Sequence, residues 1–142
     1  MGNKLPDIKI FSKPKRWVNK VFIHCSASDN FMHDNIETIR HWHMLRGFND
    51  IGYHFYINKE GIILKGRDIE KNPAAQEGHN TGSVAICLGG LNKFSDAQFV
   101  SLKRLCGAIK NEIPFVTFHG HCEVNPHKTC PNFDYKKVLC GI

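Results

Sequence analysis

The chain has no long apolar run. No stretch approaches the roughly 20 consecutive apolar residues that a membrane-spanning helix needs. Its opening residues, MGNKLPDIKIFSKPKRW, lack the apolar stretch of a secretory signal, and MGNKLP lacks the Ser/Thr of a myristoylation signal. The expectation is a chain made in the cytoplasm, without a signal peptide and without membrane insertion. Internal repeats, low-complexity segments and linkers are also missing, which excludes solenoids and multi-domain arrays. The sequence carries no paired CxxC of a closed zinc finger and no RNA-binding or helix-turn-helix signature. No pair of acidic residues stands out as a glycosidase dyad.

What remains is an ordinary globular composition. Of 142 residues, 42% are hydrophobic and 23% charged, enough for one domain with its own core. The reading is a basic arm over 1–17 and one domain over 18–142. The formal net charge of +6 favours anionic partners: nucleic acid, membrane surfaces or anionic wall polymers. The densest basic run, KPKRWVNK (Lys13–Lys20), includes Trp17. It is read as part of a solvated arm in preference to a nucleic-acid site. There are six cysteines. Cys25, Cys87 and Cys106 lie in apolar runs and read as buried thiols, while Cys122 and Cys140 are uncommitted.

Periodicity gives the order β-α-β-β-β-α-β-α. KVFIHCSA (Lys20–Ala27) is rich in β-formers. NIETIRHWHMLRG follows at helical spacing, with Asn35 as cap, Gly47 as stop, and either Trp42 or His43 facing inward. YHFYINKEGIILKG reads as a hairpin turning at Asn58–Gly61. SVAICLGG (Ser83–Gly90) is a nearly continuous apolar strand that belongs in the centre of a covered sheet. SDAQFVSLKRLCGAIKNEI opens with Ser95 and Gln98 in capping-box spacing. FVTFHGH (Phe115–His121) is a further strand, and DYKKVLC a short closing helix. The simplest architecture is an α/β domain, a mixed central sheet flanked by helices.

Nine histidines are present. His33, His41, His79 and His127 need no special account. The stretch HCEVNPHKTC (His121–Cys130) does, and zinc binding, redox chemistry and simple loop solvation each explain part of it. His24 and His121 both fall late in expected strands, and Cys130 lies in a loop nearby. Two imidazoles and a thiolate suit zinc, and three protein ligands leave a fourth position open. His119 shares strand parity with His121 and competes with it as a ligand. Lys128, two residues before Cys130, offers an ammonium, and Tyr53, at the start of the hairpin, a phenol.

VFIHCSAS, TIRHWHMLRGFNDIGYHFYINKEG, KGRD, SVAICLGG and GHCEVNPHKTCPNFD occur in that order. Together they resemble the zinc-dependent N-acetylmuramoyl-L-alanine amidases of the amidase-2 family, which includes amidase-type phage lysozymes and animal peptidoglycan recognition proteins. The resemblance runs from about Val21 to the C-terminal helix. It implies one zinc on His24, His121 and Cys130, with Tyr53 and Lys128 as catalytic residues. Cys130 favours an enzyme, because recognition-only relatives commonly lack the thiolate. The loop before the central strand departs from the family pattern. Ala75-Gln76 stands where His-Ala is frequent, and His79 and Cys122 are also unusual. Asn80 fits the pattern and is expected to contact substrate.

The resemblance implies a peptidoglycan amidase that cuts between N-acetylmuramic acid and L-alanine. It would be an endolysin reaching the wall through a holin. The rivals are a non-catalytic peptidoglycan receptor, a regulatory protein using the same fold, and a redox or structural zinc protein.

Overall fold

The computed structural model describes residues 9–142. Strand β1 spans Lys20–Cys25 and β4 Ser83–Leu88, and every residue of β4 is buried. The hairpin is β2 (Phe55–Ile57) and β3 (Ile63–Lys65), and β5 is Thr117–Gly120. The sheet order is β3-β2-β4-β1-β5, which puts the continuous apolar strand in the middle. β1 runs parallel to β4 and β5, β2 runs parallel to β4, and β3 is antiparallel to β2. The mixed sheet is the one expected. Two strands are shorter than expected. β1 stops at Cys25, before Ala27 turns to φ 63°, and β5 is confined to Thr117–Gly120.

Side chains alternate across β1 and so face two different layers. Val21 and Ile23 join Ile86 and Leu88 against helix α2 (Asp96–Glu112), through its Leu102, Leu105, Cys106 and Ile109. Burying each of these large side chains contributes about 1.5–3 kcal/mol, so this layer dominates the stability. The short helix α3 (Tyr135–Val138) joins the same core through Tyr135 and the following Leu139. The opposite face is thinner. Helix α1 (Ile36–Leu45) places Ile39 in a small cluster with Ile51, Tyr56 and Cys87. Of the two inward candidates on α1, His43 is buried and Trp42 is half-buried.

The local signals act as their chemistry requires. Asn35 caps α1 by accepting from Thr38 N at 2.8 Å. Ser95 and Gln98 form a reciprocal capping box. Gly61 sits at φ 81°, closing the hairpin turn with its N–H on Asn58 O at 2.9 Å.

The solvated arm is corrected over its described part; residues 1–8 lie outside the described residues. Phe11 is buried in the main core. Arg16 donates from Nε to Ile69 O (2.7 Å) and from Nη2 to Ser83 O (2.8 Å). Lys15 N donates to the Glu70 carboxylate at 2.9 Å. The cause is a guanidinium whose donors are satisfied by part-buried carbonyls, an arrangement that a solvated arm cannot match. Trp17 stays exposed but stacks on Phe115 with ring centroids 5.0 Å apart.

Candidate active site

The parallel register of β1 and β5 pairs Phe22 with His119 and Ile23 with Gly120. One further step on the same face brings His24 beside His121, with ring centroids 4.7 Å apart. His121 itself lies just past the strand, opening a 3-10 turn, His121–Glu123. That turn forms because the Glu123 carboxylate accepts from Gly120 N at 2.9 Å, engages His119 Nδ1 at 3.0 Å and accepts from the Tyr135 hydroxyl. His119, the competing ligand on parity, instead spends its ring on Glu123 and on Thr117 Oγ1 at 2.7 Å.

Cys130 arrives from the following loop. Its carbonyl accepts from Cys122 N at 2.9 Å, and its Sγ accepts from Cys25 N at 3.0 Å. The donor atoms of His24, His121 and Cys130 consequently lie within 4.8 Å of one another. His24 is buried, while His121 and Cys130 are half-buried. Two imidazole nitrogens and a sulfur at this spacing are a donor set that could hold a d-block cation. A tetrahedral zinc would set its nitrogen and sulfur donors about 3.3–3.6 Å apart, a modest contraction.

The electrostatics keep the imidazoles ready to bind. Burial, then the neighbouring His121, holds His24 down at about 3. Burial, then the Lys128 charge, also lowers His121. Both rings are therefore neutral at pH 7, the form that ligates. The hydrogen bond shared with the Cys25 thiol, and then burial, push the Cys130 thiol up. The sulfur keeps its proton until a cation displaces it.

Tyr53 is packed between two imidazoles, with ring centroids 5.1 Å from His24 and 5.1 Å from His43. Its position is set by Gly52, whose N–H donates to His43 Nδ1 at 2.7 Å. A Cβ on Gly52 would lie 2.2 Å from Ala74 O, so no side chain fits there. Burial raises Tyr53 well above the ordinary phenol value, leaving it a hydrogen-bond donor at neutral pH. Lys128 is exposed at the rim, near enough to His121 for its charge to depress that ring.

Asn80, expected to touch substrate, turns its side-chain oxygen into its own loop. Oδ1 accepts from Ala75 N (3.1 Å) and Gln76 N (3.0 Å). The reason is geometric: the loop's inward N–H groups have this one acceptor at hand. Gln76, in turn, is completely buried and meets His24 Nε2 through Oε1 at 2.8 Å.

Of the residues that sequence reasoning singled out, the structure brings His24, His121 and Cys130 together, packs Tyr53 against His24 and sets the Lys128 charge near enough to lower His121. That reasoning missed four supports: Gln76, Glu123, His43 and the Cys25 backbone N–H. Glu123 had a visible signal, standing three residues after Gly120 as a cap would. Gln76 had one only as a departure from the family pattern. His43 was undecided against Trp42, and a backbone donor leaves no trace in residue type.

A profile of the Amidase_2 family, described as N-acetylmuramoyl-L-alanine amidase, matches residues 14–133. The chain is 33% identical over 137 residues to the endolysin of Klebsiella phage KP32, covering 91% of this chain and 90% of that one. It is also 33% identical over 133 residues to the endolysin of Escherichia phage T7, covering 88% and 87%. Among solved structures, the endolysin N-acetylmuramoyl-L-alanine amidase LysCS from Clostridium intestinale URNW superimposes with a TM-score of 0.77 at 28% identity, covering 85% of this chain and 80% of that one. With the family profile matching residues 14–133 and relatives 33% identical along most of its length, the chain belongs to the Amidase_2 family of N-acetylmuramoyl-L-alanine amidases.

Proposed function

We propose that this peptidoglycan amidase hydrolyses the amide between the lactyl group of N-acetylmuramic acid and L-alanine, using one zinc held by His24, His121 and Cys130. The observation that carries the reading is the convergence of those three donors within 4.8 Å from three separate segments. Two imidazoles and a thiol match zinc's preferences. A zinc ion there supplies Lewis acidity toward a carbonyl oxygen and lowers the pKa of water.

The chain's own residues do the rest. Tyr53, wedged against His24, keeps its phenolic proton and points a neutral donor at the developing oxyanion. Lys128 brings a positive charge to the same side from the rim. Both act where charge appears in the transition state, the placement that lowers a barrier. Water adds to the carbonyl carbon, the C–N bond breaks, and the proton given up by the water ends on the departing alanine nitrogen. Cys130 favours this reading over a receptor that only holds wall fragments, because the family resemblance implies that recognition-only relatives commonly lack the thiolate.

The proposed setting is that of a phage endolysin, made in the cytoplasm and admitted to the wall through a holin. Among the described residues no helix is long and apolar enough to cross a membrane. Incubation of the purified chain with sacculi, followed by mass analysis of the soluble fraction, tests the bond. Free stem peptides beginning with L-alanine are expected. Soluble fragments still carrying muramic acid, with new reducing ends, place the cut elsewhere.

A further inference from the structure

We propose that Gln76 is a positioning residue that fixes the proton of His24 on Nε2 and so leaves Nδ1 as the nitrogen that binds the metal. The inference rests on His24 being a zinc ligand, and it concerns a position where this chain departs from its family's usual His-Ala pair.

The direction of each hydrogen bond follows from the end of the chain of contacts. Asn80 O is a carbonyl and only accepts. Ser83 Oγ lies 2.9 Å from it and therefore donates its one proton there. With that proton used, Ser83 Oγ accepts from its other neighbour, Gln76 Nε2, at 2.7 Å. Gln76 Nε2 also faces His79 O at 3.3 Å, again an acceptor only. Two acceptors on one end of the carboxamide settle which end is nitrogen. Oε1 is then the atom 2.8 Å from His24 Nε2. An amide oxygen cannot donate, so Nε2 carries the proton. A neutral imidazole has one N–H, and the lone pair falls to Nδ1.

Burial makes this relay binding. Gln76 and Ser83 are both 0% exposed and His24 is 1% exposed, so water cannot take over a lost partner. The relay is also held from outside. Asn80 Oδ1 fastens the Gln76 backbone N–H at 3.0 Å, and Arg16 Nη2 holds Ser83 O at 2.8 Å. The docked N-terminal segment thus reaches the metal ligand through Ser83 and Gln76. Such outer partners fix a ligating ring's tautomer and orientation, and losing one typically weakens metal affinity about 10–100-fold.

The test uses the full chain. Zinc affinity is measured by competition with a chromophoric chelator, and the ring protons of His24 by long-range 1H–15N spectra of the chelator-treated protein. In the wild type the spectra are expected to show His24 protonated on Nε2, in slow exchange with water. Gln76→Met keeps the volume and removes the acceptor. It should lose that slowly exchanging signal and bind zinc about 10–100-fold more weakly. Gln76→Glu restores an acceptor facing His24 Nε2 and should recover the slowly exchanging signal, while its second oxygen, set against His79 O, keeps the recovery of zinc affinity partial. A merely structural Gln76 would lower resistance to urea and leave zinc affinity and the His24 proton unchanged, which overturns the proposal. Wild-type His24 protonated on Nδ1 overturns it without any variant, so a Gln76→Met chain that fails to fold leaves it testable. If the wild type binds no zinc, the zinc reading of the site falls and this role falls with it. If the wild type binds one zinc and Gln76→Met binds it as tightly, only the role of Gln76 falls.

Discussion

The catalytic roles proposed for Tyr53 and Lys128 can be separated from metal binding one residue at a time. Tyr53→Phe removes one donor and almost no volume from the ring packed 5.1 Å from His24. Lys128→Met removes the charge and keeps much of the stem. Loss of one oxyanion donor typically costs on the order of 10²–10³ in rate, so each variant should fold, keep its zinc and lose most turnover. His24→Ala and Cys130→Ala should lose metal and turnover together. Zinc content and sacculus hydrolysis on the same preparations separate the cases. Near-normal turnover in both Tyr53→Phe and Lys128→Met removes these residues from the mechanism while leaving the donor set intact.

The turn between α1 and β2 is the element that aims Tyr53, and it does so without slack. Gly52→Ala drives a Cβ to 2.2 Å from Ala74 O and pulls the Gly52 N–H off His43. Overpacking of this kind costs about 1–3 kcal/mol. Urea unfolding should show that loss, and turnover should fall with it because Tyr53 is the next residue. An unchanged unfolding midpoint would mean that the turn gives way more easily than its contacts indicate.

Two buried imidazoles hold the same segment as acceptors, one against helix α1 and one against the sheet. His43 Nδ1 takes Gly52 N–H, and His54 Nδ1 takes Ala85 N–H at 3.0 Å. Burial first of all holds each ring down at about 4. The fold therefore prefers them neutral. Above pH 6.5 both folded and unfolded chains carry neutral rings and the contribution is complete. As pH falls below 6.5 the unfolded chain binds protons first, and stability declines until about pH 4, where the folded rings also titrate. For the fully buried His54, a drop from 6.5 to about 4 corresponds to about 3 kcal/mol. Urea unfolding at pH 7.5, 5.5 and 4.5, with chelator present throughout, should show a progressive loss. A flat profile would contradict the neutral, accepting role of both rings.

At the scale of the whole molecule, what the sequence revealed was what neighbours in sequence decide. Ser95 and Gln98 are three residues apart, Asn58–Gly61 is one turn, and the Ser83–Leu88 run announces its own burial. The grouping of His24, His121 and Cys130 was legible because several motifs agree in order and spacing, and the fold brings the three side chains together. What was not legible depends on distant partners. Arg16 finds acceptors 53 and 67 residues away, so its run of charges read as a solvated arm. His121 leaves the strand because Glu123 captures Gly120 N–H, a competition that β-propensity does not contain. Gln76 is a polar residue in a polar loop until the fold sets it 2.8 Å from His24, 52 positions away.

The central claim is that amide hydrolysis depends on one metal held by His24, His121 and Cys130. Its most direct test is stepwise reconstitution. The purified chain is stripped with a chelator and dialysed, and zinc is added back in fractions of an equivalent over intact sacculi while new amino termini are counted. The rate should start near zero and rise linearly, breaking at one zinc per chain. Full amide cleavage by the stripped chain, or a rise that ignores that stoichiometry, would contradict the account.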